Sequence, residues 1–437
     1  MTDASADAGT RYIDSDKFHR RLKARRRNGA ILRYAGLSGI VIALGVLGVL
    51  LYSIVSQGWM GFLRTTMLLD VTYSEELISP DGEGGVGNVP SGAYQAMAIN
   101  ALQDTLDLPQ EARQENRAEL GAMLSGSVRY TLQQRLRENP DLVGQTVQIA
   151  APVSSAIDMA YKGKLTLDVP EARRQINDQQ LAWFETLRDE SRLQYDFYWG
   201  LFTNSDSRSP ETAGLWAGIV GSFVMIGIVA VFAFPIGVMA AVYLEEFAPK
   251  NRWTELVEVN INNLAAVPSI IFGLLGLAVF LNTLGFPRSS PLAGGAVLVL
   301  MTLPIIIIAA RSALRGVPPS YKQGALMMGA SNNQAVMKTV LPTALPGMLT
   351  GTIIGLAQAL GETAPLLLIG MQAFVASAPS GVGDTATAIP VQIYLWANAP
   401  EQGFAEKTQA AIMVLLAFLL VMNATAIYFR NRFQKRN

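Results

Sequence analysis

Six apolar stretches, each long enough to cross a lipid bilayer, dominate this chain: residues 32–56, 215–244, 256–284, 292–310, 347–376 and 410–428. Hydrocarbon offers a peptide group no hydrogen-bond partner, so a segment that spans it must satisfy its own backbone. A run of about 20 apolar residues does this as a helix. Only 16% of the 437 residues are charged, against roughly 25% in soluble domains. The expected fold is an all-α membrane protein of about six transmembrane helices.

The basic cluster Arg20-Arg21-Leu22-Lys23-Ala24-Arg25-Arg26-Arg27 precedes the first span. It has the charge of a secretory signal, but the apolar run after it is too long and lacks a small-residue cleavage site, so a retained helix is expected. Cytoplasmic loops collect Lys and Arg. Placing the N-terminus inside puts Lys250, Arg252, Arg311, Arg315, Lys322, Lys338, Arg430, Arg432, Lys435 and Arg436 on the inner side. The short outer loops then carry only Arg288 and Lys407. Both termini are therefore expected inside. The expected division is a basic tail at 1–30, a first span at 31–57, an outward-facing insert at 58–212, a five-helix membrane core at 213–430 and a tail at 431–437.

The insert starts with a Gly-rich flexible loop at 79–88. Pro109 with Glu111 opens a helix that ends near Asn139-Pro140, and Pro170 with Glu171 opens another that reaches about Asp189. Residues 146–151 and 165–169 are short strand candidates in an otherwise α-rich module. Acidic residues outnumber basic ones here, a charge that repels anions in solution rather than gathering them. A docking or structural module and an ordinary solvated acidic surface fit this equally.

Catalytic chemistry has little to work with. Cysteine is absent, and the one histidine, His19, lies in the basic tail with no second ligand near it. No Gly-x-x-x-x-Gly-Lys-Ser/Thr phosphate loop occurs, so energy must come from a partner or an ion gradient. No cofactor, metal or nucleic acid is expected. The segment 312–346, too polar to span, contains two helix-like pieces around Gly329. Pro318-Pro319-Ser320 sets a helix start with Ser320 as candidate N-cap, and Gly324 and Ala325 let another surface approach closely. On physics alone this is a helix–turn–helix on the inner face, or an amphipathic connector resting on headgroups.

The segment resembles the coupling motif of ABC importer permeases, Glu-Ala-Ala-x-x-x-Gly followed by a hydrophobic-Leu-Pro. Gln323-Gly324-Ala325, then Gly329-Ala330 and Val340-Leu341-Pro342 match it, with Gln323 replacing the acid and Gly324 the first Ala. Within that family the chain is similar to the phosphate-specific permeases, through Asn262–Leu274, Leu345-Pro346-Gly347, Gly361-Glu362-Thr363-Ala364-Pro365 and Pro390–Trp396. The large insert is like that of a long-form subgroup. The resemblance implies a transport subunit without enzymatic activity in a bacterial inner membrane, importing inorganic phosphate by alternating access. It implies a second homologous permease, two ATPase subunits and an external phosphate-binding protein as partners. A permease for sulfate or molybdate is the alternative. A ligand-sensing membrane receptor is disfavoured by the number of spans and the short inner segments.

Glu362, an ionisable residue at membrane depth between Gly361 and Pro365, is a candidate for the translocation path or gate, with Thr363, Gln358 and Arg311. A carboxylate repels phosphate, so its expected role is to pair with an arginine that holds or releases the anion. Gln358 stands where short-form members carry an arginine, and Ile308 where they carry another. Arg311, one turn on, or an arginine of the partner permease, is expected to supply the charge. Pro235, Pro268, Pro304 and Pro365 are assigned no contact with substrate.

Overall fold

The computed structural model describes residues 16–78 and 89–434, in two compact units divided between Gln57 and Gly58. The loop expected at 79–88 and the first half of the basic tail lie outside the described residues. The first unit is helix α1 (Asp16–Gly58), which carries the basic cluster and the apolar run on one continuous helix. Its apolar side chains, Ile31 to Leu51, are exposed, as suits a span whose solvent is lipid.

The second unit begins with the insert. Strand β1 (Leu63–Thr72) is the centre of an antiparallel sheet, flanked by β2 (Thr146–Pro152) and β3 (Leu193–Phe197) in the order β2-β1-β3. Met67, Leu69 and Val71 alternate along β1 and, with Tyr73 just beyond it, are fully buried, so one sheet face forms the insert's core. Around it pack α2 (Ser91–Thr105), α3 (Gln110–Glu115), α4 (Arg117–Met123), α5 (Val128–Glu138), α6 (Ser155–Tyr161) and α7 (Asp178–Asp189). Val128, Leu132 and Leu136, spaced by four on α5, are all buried.

The module is α-rich, as expected, with more sheet than the sequence suggested. The strand expected at 146–151 is β2. Residues 165–169 form none: Leu165 and Leu167 pack on the core but pair with no strand. The helix expected from Pro109 to Asn139 is three helices, because Leu124 leaves the helix to bridge Val153 and Ser125 N–H donates to Pro152 O. The helix expected from Pro170 is a single 3-10 turn, Glu171–Arg173, and α7 starts later, under an Asn177–Gln180 capping box.

The membrane core follows: α8 (Trp216–Val242), α9 (Arg252–Ala265), α10 (Ser269–Gly276), α11 (Pro291–Arg315), α12 (Pro319–Met327), α13 (Asn332–Ala335), α14 (Leu341–Gly361), α15 (Ala364–Leu368), α16 (Ile389–Ala397) and α17 (Gly403–Gln434). With α1, five helices of the described residues are long and apolar enough to cross a membrane, or six if α9 and α10, which meet at 101°, count as one span. That bend is a departure from the straight span expected at 256–284. Pro268 donates no hydrogen bond and disfavours helical backbone at Val267, so α9 stops and α10 starts afresh. The expected span at 347–376 is likewise broken. Its first part belongs to a helix running from Asn332 to Gly361, and only α15 follows Glu362. Small residues let the elements close: a Cβ on Gly221 of α8 would run into Thr387 O in the segment before α16, and one on Gly351 of α14 into Ala309 Cβ of α11.

Where the insert meets the start of α17, charge is buried. Lys162 is fully enclosed, and its Nζ donates to Asp158 at 2.8 Å, Glu406 at 2.9 Å and the carbonyls of Leu63 and Met60 at 2.9 and 3.1 Å. Burial alone would lower its pKa, but the two carboxylates outweigh this and hold it above the usual lysine value. Lys164 adds a second cation to Glu406 at 2.7 Å. Lys407, expected in an exposed outer loop, is instead buried, donating to Gly61 O at 3.0 Å and lying 4.1 Å from the Tyr198 ring centroid. Removing one partner from such a cluster leaves charge buried without compensation, at a cost of about 3–5 kcal/mol. Lys162→Met is expected to lower the thermal unfolding midpoint of the purified protein markedly, and adding Glu406→Gln to restore part of the loss.

Candidate coupling and translocation site

Ion pairs join the C-terminal ends of α8 and α11 to each other and to α9. Arg311 and Arg315 lie one turn apart on α11. Opposite them a π-helical turn, Tyr243–Phe247, ends α8 and presents Glu245 and Glu246. Glu245 accepts from Arg311 Nε at 3.3 Å and from Arg315 Nε at 2.9 Å, while Arg311 Nη2 reaches Glu258 of α9 at 2.7 Å. Arg311 is nearly enclosed, with its side chain 9% exposed, and the acids are only partly solvated. Lys322 on α12 then pairs with Glu246 at 2.6 Å. The carboxylate pair at the end of α8 thus ties to α11 and α12, and Arg311 of α11 carries the link on to α9.

Each end of the turn after α12 is capped by its own residues. Gly329 has φ +87°, a left-handed conformation that favours glycine. Its N–H donates to Leu326 O at 3.0 Å and that of Ala330 to Ala325 O at 3.1 Å, the two bonds of a Schellman motif. Two residues on, Ser331 accepts from Gln334 N–H, and Gln334 Oε1 accepts from Ser331 N–H at 2.9 Å. Ser320, the expected N-cap, caps nothing, because α12 starts on Pro318-Pro319; Ser331 is the cap. Gln323 is exposed, Gly324, Ala325 and Ala330 are half-buried, and the tip presents Met327 and Met328 to solvent at 83% and 89% exposure. Leu341 and Pro342 are half-buried where the chain re-enters the membrane helix. A π-helical turn, Val336–Val340, lies just ahead of Pro342, which has no N–H to give.

Glu362 sits elsewhere. It is the C-cap of α14, in extended backbone at φ −77°, ψ 130°, and is half-buried, as is Thr363; Gln358 is exposed. Among the described residues Glu362 makes no ion pair. Arg311 does not reach it, being held by Glu245 and Glu258. The expected pairing of Arg311 with Glu362 is therefore not formed. The four path residues divide into two groups: Gln358, Glu362 and Thr363 at the break between α14 and α15, and Arg311 in the ion-pair cluster. What the structure does bring together is the two helix breaks. A Cβ on Gly273 of α10 would lie 2.7 Å from Pro365 Cα of α15, so the segments after Pro268 and after Glu362 touch.

Sequence reasoning missed Glu245, Glu246 and Glu258. Paired acids at the end of an apolar run, 65 to 70 residues ahead of Arg311 and Arg315, were the available signal, but nothing in the spacing says that they meet.

Residues 233–436 match the family of binding-protein-dependent transport system inner membrane components, and residues 19–171 match a domain of unknown function, DUF3333. The chain is 30% identical over 217 residues to phosphate transport system permease protein PstA 1 of Mycobacterium tuberculosis (strain ATCC 25618 / H37Rv), covering 50% of this chain and 70% of that protein. It is 29% identical over 233 residues to PstA of Haemophilus influenzae, covering 53% and 81%. A chain of the MetNI methionine ABC transporter aligns at 19% identity and a TM-score of 0.40, over 50% of this chain and 94% of that one, a partial likeness on which nothing rests. The protein is thus a multi-pass membrane component of a binding-protein-dependent transport system. Within that class it belongs to the family of PstA phosphate transport system permease proteins.

The ion-pair cluster is testable by itself. Arg311→Met is expected to cost about 1–3 kcal/mol, since it leaves two part-buried carboxylates short of a partner. In a double-mutant cycle with Glu258→Gln, the two losses in unfolding midpoint are expected to be clearly less than additive. Simple additivity would mean that the contact contributes nothing.

Proposed function

We propose that this chain is the permease subunit of an ATP-driven, binding-protein-dependent importer of inorganic phosphate in a bacterial inner membrane. Its partners are a second homologous permease, two ATPase subunits inside and a phosphate-binding protein outside. Both termini face the cytoplasm and the insert faces outward. The observation that carries the proposal is the doubly capped turn at Gly329 on the end of α12, in a chain whose relatives are PstA proteins.

Gln323, Gly324, Ala325, Gly329 and Ala330, with Leu341 and Pro342, are the ATPase-coupling segment. A docking element must transmit displacement rather than absorb it. The Schellman motif and the capping box stiffen the turn, and the exposed Met327 and Met328 offer apolar, adaptable contact to an ATPase groove. Displacement then passes through Lys322–Glu246 to α8, and from there through Glu245 and Arg311 to α11 and α9. Closure of the ATPase pair on ATP draws these ends together and opens the outer side; hydrolysis reverses it.

The translocation path runs past the break at Glu362, where a half-solvated carboxylate and Thr363 face the discontinuity, with Gln358 one turn earlier. Glu362 acts by pairing with an arginine of the partner permease, since Arg311 serves the ion-pair cluster. Arg311 therefore influences the path by positioning helices rather than by touching phosphate.

Uptake of labelled phosphate and labelled sulfate by vesicles containing the reconstituted complex checks the substrate. ATP-dependent phosphate uptake is expected, and sulfate uptake without phosphate uptake would select the alternative anion. Gly329→Val forces a branched side chain into the left-handed region, at a cost of about 1–3 kcal/mol. Phosphate uptake is expected to be lost while the protein still inserts and purifies. Undiminished uptake by that variant would remove the coupling role from this turn.

A further inference from the structure

On the insert, between α5 and the helical turn Gly200–Thr203, lies an open cleft of about 700 Å³. Its lining includes Asn204 and Thr212, the guanidinium-bearing Arg64 and Arg135, and the aromatic Phe197 and Trp199. Two observations place this cleft at the membrane surface. Trp216, the first residue of membrane helix α8, donates its N–H to Asn204 O at 2.9 Å, so the lining is bonded directly to the head of a span. A chain of ring contacts also runs from Trp59, just past the end of the first apolar helix, to Phe62 at 6.3 Å, to Phe197 at 6.4 Å, and to Trp199 at 4.7 Å. Trp59 and Trp199, at the two ends of that chain, are 57% and 70% exposed. Exposed tryptophans at the mouth of a span are what a bilayer's interfacial zone selects.

The cleft's charge runs against that of the insert. Arg64 has no acidic partner among the described residues, and its buried Nε has no hydrogen-bond acceptor. Its guanidinium carbon lies 5.7 Å from the Tyr198 ring centroid. Arg135 also lacks an ion pair and only reaches Gln148 O at 3.5 Å. Glu138 is the one carboxylate in the lining and is engaged by Gln134 at 2.9 Å. Two uncommitted guanidiniums beside hydroxyl groups suit a phosphate group, which their planar forks bind in pairs of hydrogen bonds.

We propose that this cleft binds a phosphate-bearing anion, and that its occupant is the headgroup of an anionic phospholipid in the leaflet on the insert's side. A free phosphate ion gains nothing from the exposed apolar wall of Phe197 and Trp199, whereas a lipid places its glycerol and upper acyl carbons there. The acidic insert is thereby seated on an anionic membrane through a local basic cleft rather than repelled from it.

The full chain, reconstituted in phosphatidylcholine vesicles, carries its own probe. The fluorescence of wild type minus that of Trp199→Phe isolates Trp199. Brominated phosphatidylglycerol is expected to quench this signal at a mole fraction about fivefold lower per contributing arginine than brominated phosphatidylcholine does. Arg64→Gln should remove most of that preference. Arg135→Gln, a change at an exposed position, should reduce it and keeps the test valid if Arg64→Gln fails to fold. Equal quenching by the two lipids, or a preference untouched by both substitutions, overturns the proposal. Loss of the preference on adding millimolar inorganic phosphate, but not sodium chloride of equal ionic strength, would assign the arginines to free phosphate and overturn the lipid occupant.

Discussion

A peptide group in hydrocarbon has no water to turn to, and an unpaired N–H or C=O there costs several kcal/mol. That constraint decides where this membrane core is regular and where it is permitted to break. Its two interruptions come after Ala265 and after Gly361, and the short helices that follow them touch, Gly273 of α10 lying against Pro365 of α15.

Charge follows a similar rule. The described ion pairs of the membrane core fall at its two ends. Lys162, Lys164, Asp158 and Glu406 fasten the insert to the head of α17, and Arg311, Arg315 and Lys322 fasten α11 and α12 to Glu245, Glu246 and Glu258. The first group is more deeply buried and joins elements far apart in sequence, as a rigid mount requires. The second is partly solvated, which lowers the cost of rearranging it.

Much of the candidate site was legible in advance. Gly329 as the turn residue, Glu362 as a carboxylate beside a helix break, and the polar segment between spans follow from local chemistry and are found in place. Arg311 shows the limit. Its position at the C-terminal end of α11 was evident, yet its partners were not, because Glu245 and Glu258 lie 66 and 53 residues away and meet it only through helix packing. Lys407 shows the same limit: a lysine in a short outer loop looks solvated until the insert closes over it. Strands β1 and β3 escaped notice because β1 mixes its apolar residues with Thr and Arg and β3 is only five residues long, and a strand's stability lies in a partner the local pattern does not name.

The sequence by itself determined that the chain crosses the membrane several times, that a polar segment separates two of its spans, and that Gly329 turns the chain there. Those features depend on hydropathy, Pro, Gly and caps, which act within a few residues. Only the tertiary structure decided which charges pair, which breaks meet and which arginines remain uncommitted at the insert's membrane edge. Those are contacts between distant segments, set by how close small residues such as Gly221 and Gly351 let the elements come.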